Sequence, residues 1–195
     1  MRLWQIPFST NVERVALALA HKGLEVESVT IDYSDRSPVE RVSGQPLVPV
    51  IVDGERVVAD SARILEYLEE RYPEPPLFPA DAARRAELEL FIDWFNEVWK
   101  GPPNAIEDGA EPGPLAARMD AWLDLFERML HGRDHLMGDD FSAADCIAFP
   151  FLKYAAVRDP EDDELFHRIL DEHQSVAGRP ALAAWIERVN ARPRA

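Results

Sequence analysis

The sequence holds a single cysteine, Cys146, so neither an internal disulfide nor a Cys-x-x-Cys redox pair can form. Positive charge is also short: 21 Lys and Arg face 36 Asp and Glu, a formal net charge of -15. Such a surface repels phosphate backbones and offers no basic stripe, which argues against nucleic acid as a partner. No run of ~18 apolar residues occurs, and residues 1–7 lack an apolar core. Membrane insertion and export are therefore not expected, and the cytoplasm is the default location. What is present is 195 residues, 47% of them hydrophobic, enough to bury one large core or two modest ones.

Weak alternation over residues 2–6 predicts a strand. Val12, Val15, Ala16 and Leu19 then recur at helical spacing up to Gly23, a good stop after Lys22. Thr10-Asn11-Val12-Glu13 has the pattern of a capping box, which starts that helix at about residue 10. Residues 27–31 alternate as a second strand, completing a strand-helix-strand unit with parallel pairing. After a polar stretch over 32–45, Asp53-Gly54 between two apolar runs (48–52 and 56–59) predicts a hairpin. Asp60-Ser61 caps a further helix with Ile64, Leu65 and Leu68 on its buried face.

Prolines gather in 73–79, and beyond them every apolar period is helical. Leu88 to Trp99 and Met119 to Leu130 form two helices separated by Gly101-Pro102-Pro103. Others start at Ser142, near Glu164 and at Pro180. The expected organisation is an α/β domain of order βαβ-ββα over residues 1–73, a linker over 74–82, and an all-α domain over 83–195.

Chemistry concentrates at three points. Ser9 lies between the first strand and the amides that open the first helix, where an anion is stabilised. Its plain role is to cap the helix; its chemical one is to donate a hydrogen bond to a ligand's thiolate and lower that thiol's pKa. Hydrolysis is excluded, because Gly-x-Ser-x-Gly is absent and no histidine is near. Pro49 at a strand start suggests a cis bond that exposes the backbone of Val48. Asp60-Ser61 sets a carboxylate and a hydroxyl at a helix start, fit to hold the amino and carboxylate groups of an amino-acid head.

Ser9-Thr10-Asn11 with Arg14-Val15, the run from Ala18 to Leu24, Val48-Pro49-Val50, Asp60-Ser61 and Phe141-Ser142-Ala143-Ala144-Asp145 together resemble the cytosolic glutathione transferases. The serine-type classes, phi above all, are the nearest match. The resemblance implies a thioredoxin-like N-terminal domain and a helical C-terminal domain holding the hydrophobic-substrate pocket. It gives Ser9 the catalytic hydroxyl, Val48 before a cis-Pro49 the cysteinyl part of glutathione, and Asp60 with Ser61 the γ-glutamyl end. Glutathione is then the co-substrate, a small hydrophobic electrophile the partner, and a homodimer the expected assembly, through 63–72 and 84–94. Asp60 stands where the family usually has glutamate or glutamine, and Leu47 where it often has a polar residue. None of Arg36, Arg41 and Gln45 is a clear counterpart of the basic residue that binds the glycyl carboxylate.

The resemblance also makes Trp94, Asn96, Trp99 and Lys100 candidate pocket residues. Cys146 and Asp145 read as core and folding residues, and His131 with His135 form no metal set because Gly132 interrupts the helix. Conjugation, isomerisation and reductive removal of a leaving group all use the same thiolate. The alternative from another class is a non-catalytic binding or regulatory protein on the transferase fold.

Overall fold

The computed structural model describes residues 1–195. They divide into two compact units, Met1–Phe78 with Pro193–Ala195, and Pro79–Arg192.

In the first unit β1 (Arg2–Gln5), α1 (Thr10–His21) and β2 (Glu27–Thr30) form the parallel unit the pattern predicts. The hairpin β3 (Val50–Asp53) and β4 (Arg56–Ala59) follows, turning at Gly54 with φ 60°, a conformation that glycine adopts without a Cβ clash. The sheet order is β2-β1-β3-β4, with β1 antiparallel to β3. α3 (Ser61–Arg71) closes the unit. Alternation along the strands sends Leu3 and Ile51 to one face and Trp4 and Val50 to the other. α1 and α3 pack together, burying Val15, Leu19, Ile64, Leu65 and Leu68. Ile6, Ile31, Val39 and Val50 form a separate cluster, to which Trp4, Val42, Val48 and Ala59 add.

The helix carrying Val39 is α2 (Ser37–Ser43), which lies inside the polar stretch over 32–45, where the sequence suggested no element. Its polar sequence has no apolar stripe beyond Val39 and Val42, too little for a period to be read. β2 is also more exposed than its alternation predicts, because it is an edge strand.

Two polar anchors fasten the first unit. Lys22 buries its ammonium among Glu69 (2.8 Å) and the carbonyls of Tyr72 (2.7 Å) and Pro75 (3.0 Å), tying the end of α1 to the proline-rich segment. Asp53 accepts from the hydroxyls of Tyr72 (2.8 Å) and Tyr67 (2.9 Å), tying the hairpin to the end of α3.

The second unit is helical: α4 (Ala82–Trp94), which runs on as a π-helical turn Phe95–Trp99, α5 (Gly101–Glu107), α6 (Pro112–Leu130), α7 (Ala143–Leu152), α8 (Leu165–His173) and α9 (Pro180–Asn190). Gly101-Pro102-Pro103 does not leave a loop here. Pro102 sits in the first turn of α5, where a missing N–H costs nothing. All ten residues of α7 are buried, so it is the central helix of this unit. Asp145 in its first turn accepts from the main-chain N–H (2.9 Å) and hydroxyl (3.1 Å) of Ser142, the N–H of Leu136 (3.1 Å) and the indole of Trp185 (2.8 Å). No helix of the chain is long and apolar enough to cross a membrane.

Candidate active site

The sheet register brings the three sequence signals to one edge. Trp4, Val50 and Ala59 pair across β1, β3 and β4 in a single row. β1 leaves that row toward Ser9, β3 enters it from Val48-Pro49, and β4 leaves it directly into Asp60-Ser61. The antiparallel pairing of β3 with both neighbours is what puts a strand start between two strand ends.

Ser9 is the N-cap of α1, with extended backbone, and its Oγ accepts the N–H of Val12 at 3.3 Å. The cap is therefore Ser9 and not Thr10. This shift puts Val12 at the third helical position, which cannot complete a capping box, and Glu13 instead pairs with Arg194 at 2.8 Å. The hydroxyl proton of Ser9 is given to no group of the chain. Phe8, just before it, has φ 58° and is 38% exposed. A bulky residue held there costs on the order of 1–3 kcal/mol, a strain that tends to collect at functional sites.

The Val48–Pro49 bond is cis. No hydrogen bond within the chain takes the main-chain N–H or C=O of Val48. The approach to it is fixed by Gln45, whose amide accepts from the N–H of Leu47 at 2.7 Å and donates to its C=O at 2.8 Å. Leu47 itself is 71% exposed, an apolar side chain at the mouth of a polar turn.

Asp60 has φ 75°, a second strained non-glycine residue. Its Oδ1 caps α3 by accepting from the N–H groups of Ala62 (3.0 Å) and Arg63 (3.1 Å), while Oδ2 is taken by nothing in the chain. The shorter side chain thus uses one oxygen for the helix and leaves the other without a partner in the chain. Ser61 is buried, and its Oγ accepts from Nη1 of Arg14 at 3.2 Å. That arginine appeared in the sequence only as part of a motif. The signal that marks it is a charge on the apolar side of α1, flanked by Leu17 and Ala18 at helical spacing.

The second-unit candidates separate. Trp99 is fully buried and stacks on Phe95 with centroids 4.5 Å apart, which makes it core and not a pocket wall. Trp94 and Asn96 are half-buried, and the Lys100 ammonium lies 4.8 Å over the Phe151 ring. Cys146 is buried. The His135 ring faces Phe141 edge-on and lies 3.4 Å from Asp145. No cluster of three or more His, Cys, Asp or Glu side chains offers a metal site.

A family profile described as "Glutathione S-transferase, N-terminal domain" matches residues 3–76, and one described as "Glutathione S-transferase, C-terminal domain" matches residues 54–188. The chain belongs to the glutathione S-transferase family. Among curated relatives, Glutathione S-transferase 3 of Zea mays is 28% identical, covering 99% of this chain and 90% of its own. The Stringent starvation protein A homolog of Coxiella burnetii is also 28% identical, over 78% of this chain and 74% of its own. The tau class glutathione S-transferase from mango (Mangifera indica) superposes with a TM-score of 0.82 at 19% identity, over 98% of this chain and 89% of its own, a likeness of fold. Within this transferase family, the four-stranded mixed sheet and the helical second unit are the family's two parts.

Proposed function

We propose that this chain is a serine-type glutathione transferase of the cytoplasm, nearest the phi class, that joins glutathione to a small hydrophobic electrophile. The observation that carries the reading is the uncommitted hydroxyl proton of Ser9 at the positive end of α1, at the sheet edge shared with Val48, Asp60 and Ser61. Glutathione supplies a thiol that becomes the attacking thiolate. Ser9 accepts from the Val12 amide and so turns its O–H outward as a donor, stabilising negative charge on sulfur with the help of the helix dipole. The free N–H and C=O of Val48, beside Pro49, hold a peptide group in extended pairing. Oδ2 of Asp60 takes an ammonium and the hydroxyl of Ser61 a carboxylate. Rate enhancement then comes from thiolate activation and proximity.

Residues 1–73 form the glutathione-binding part in this reading, 74–82 the linker and 83–195 the part that receives the electrophile. The assembly is a homodimer; a cleft of about 490 Å³ along β4 and α3, lined by Arg56, Arg63, Glu66 and Tyr67, is one face available to a second copy. The decisive experiment is calorimetric titration of glutathione into wild type and Ser9→Ala, with turnover of an aryl halide as the activity assay. Binding by both proteins with turnover by wild type alone supports the reading. Absence of binding at millimolar glutathione defeats it, and leaves a non-catalytic binding protein on the transferase fold. Exposed Leu47 and the relative named for stringent starvation favour that second reading.

A further inference from the structure

Arg14 is 1% exposed, one of the largest fully buried side chains of the chain, on a helix whose other buried residues are mostly apolar. Burying a guanidinium is unfavourable unless its hydrogen bonds do something an apolar side chain cannot. One of them reaches 47 residues along the chain to Oγ of Ser61 at 3.2 Å, joining the helix that starts at Ser9 to the helix that starts at Asp60-Ser61.

A guanidinium has five donors and no acceptor, so toward Arg14 the Ser61 oxygen can act only as acceptor. Its proton must then point elsewhere, and no group of the chain receives it. The neighbouring amides of Ala62 and Arg63 are already taken by Asp60 Oδ1, so this hydroxyl and the N–H of Ser61 itself are what the turn has left to offer an acceptor. The buried positive charge beneath it adds to the helix dipole.

We propose that Arg14 is a positioning residue that forces Ser61 to be a donor, and so selects ligands carrying a carboxylate beside the amino group held by Asp60. This rests on the glutathione reading above and sharpens it: Arg14 sets the discrimination between a carboxylate and its neutral amide at the γ-glutamyl end. A hydroxyl free to rotate would serve the amide's N–H as well as a carboxylate oxygen. A hydroxyl pinned as a donor beside a buried guanidinium favours the charged carboxylate over the amide, whose neutral C=O accepts more weakly.

The test titrates glutathione, and glutathione with its γ-glutamyl α-carboxylate converted to carboxamide, into wild type, Arg14→Lys, Arg14→Gln, Ser61→Ala and the Arg14→Gln/Ser61→Ala pair, each checked for native circular dichroism. Wild type prefers the acid by about 10- to 100-fold, the range of a hydrogen bond to a charged group. Lysine, also donor-only, keeps most of that preference; glutamine, which can accept from Ser61, loses most of it. Ser61→Ala loses it as well, and adding Arg14→Gln to it changes the preference no further. An Arg14→Gln protein that weakens both ligands by one common factor overturns the proposal, as does a Ser61→Ala protein that keeps the wild-type preference. The Ser61 arm decides the matter even if Arg14→Gln fails to fold. Wild type that binds neither ligand overturns the glutathione reading itself, a result distinct from binding without the Arg14 effect.

Discussion

The helix starts at Ser9 and Ser142 employ the same side chain in opposite ways. At α7 every oxygen is used: Ser142 gives both its N–H and its hydroxyl to Asp145, and Asp145 gathers Leu136 and Trp185 besides. At α1 the hydroxyl accepts one long bond from Val12 and keeps its proton, Phe8 before it is strained, the box position holds the apolar Val12, and Glu13 beyond it pairs with Arg194. A closed cap spends its hydrogen bonds on the fold. An open cap leaves its donor uncommitted.

The contrast breaks most visibly at Asp145. Asp145→Ala strands buried donors around α7 and is expected to cost on the order of 3–5 kcal/mol in urea unfolding, with glutathione turnover lost only as folded protein is lost. Ser9→Ala inverts that pattern. Its helix cap costs ~1 kcal/mol, while turnover falls about 100-fold or more, as when a single oriented donor is removed from a developing anion. If Ser9→Ala instead behaves as a stability variant with unchanged kcat/KM, the two serines are alike after all.

The closed cap was readable because all of its parts are adjacent: Ser142 and Asp145 stand three apart before an apolar run. The open one was readable only in part. Local spacing marks Ser9, Val48-Pro49 and Asp60-Ser61 as turn and cap residues, but the row Trp4–Val50–Ala59 that gathers them depends on strand pairing across more than 40 residues. Thr10-Asn11-Val12-Glu13 reads as a box because nothing local shows that Glu13 has a rival partner at residue 194. Arg14 was read only as part of a motif, because its partner Ser61 lies 47 residues away in the chain. α2 escaped because its buried side is too narrow, and Trp99, a pocket candidate through the family resemblance alone, is the core residue that an aromatic at helical spacing usually is.

A smaller effect sharpens the comparison through pH. The bond from Tyr72 holds Asp53 below the ordinary 3.8, against burial, with Tyr67 adding to it. Tyr72 is raised above 10.0, first by that same bond and then by burial. Tyr67 is raised above 10.0 as well, first by burial. A depressed carboxyl stabilises the fold above its unfolded value and loses that contribution as pH falls through the folded one. The raised phenols stabilise below 10.0 and lose their contribution as pH rises past the folded value. Thermal melts across pH should therefore show Asp53→Asn differing from wild type near neutrality and converging with it in strong acid, with little change at Ser9. A constant gap down to the acid limit would disprove this role of the Asp53 carboxylate.

The smallest expected effect is Arg194→Ala. Losing the partly exposed pair with Glu13 costs ~0.5 kcal/mol of stability and takes a positive charge away from the carboxylate in the first turn of α1. Activity should drop a few-fold at low salt and less at high salt, as screening weakens that charge. Salt-independent loss would place the effect elsewhere.

The most direct measurement is the pKa of the glutathione thiol bound to wild type, to Ser9→Ala and to Ser142→Ala, followed by thiolate absorbance. The open-cap account predicts a thiol well below its free value in wild type and in folded Ser142→Ala, rising toward the free value in Ser9→Ala. A bound thiol equally acidic in wild type and Ser9→Ala would contradict it.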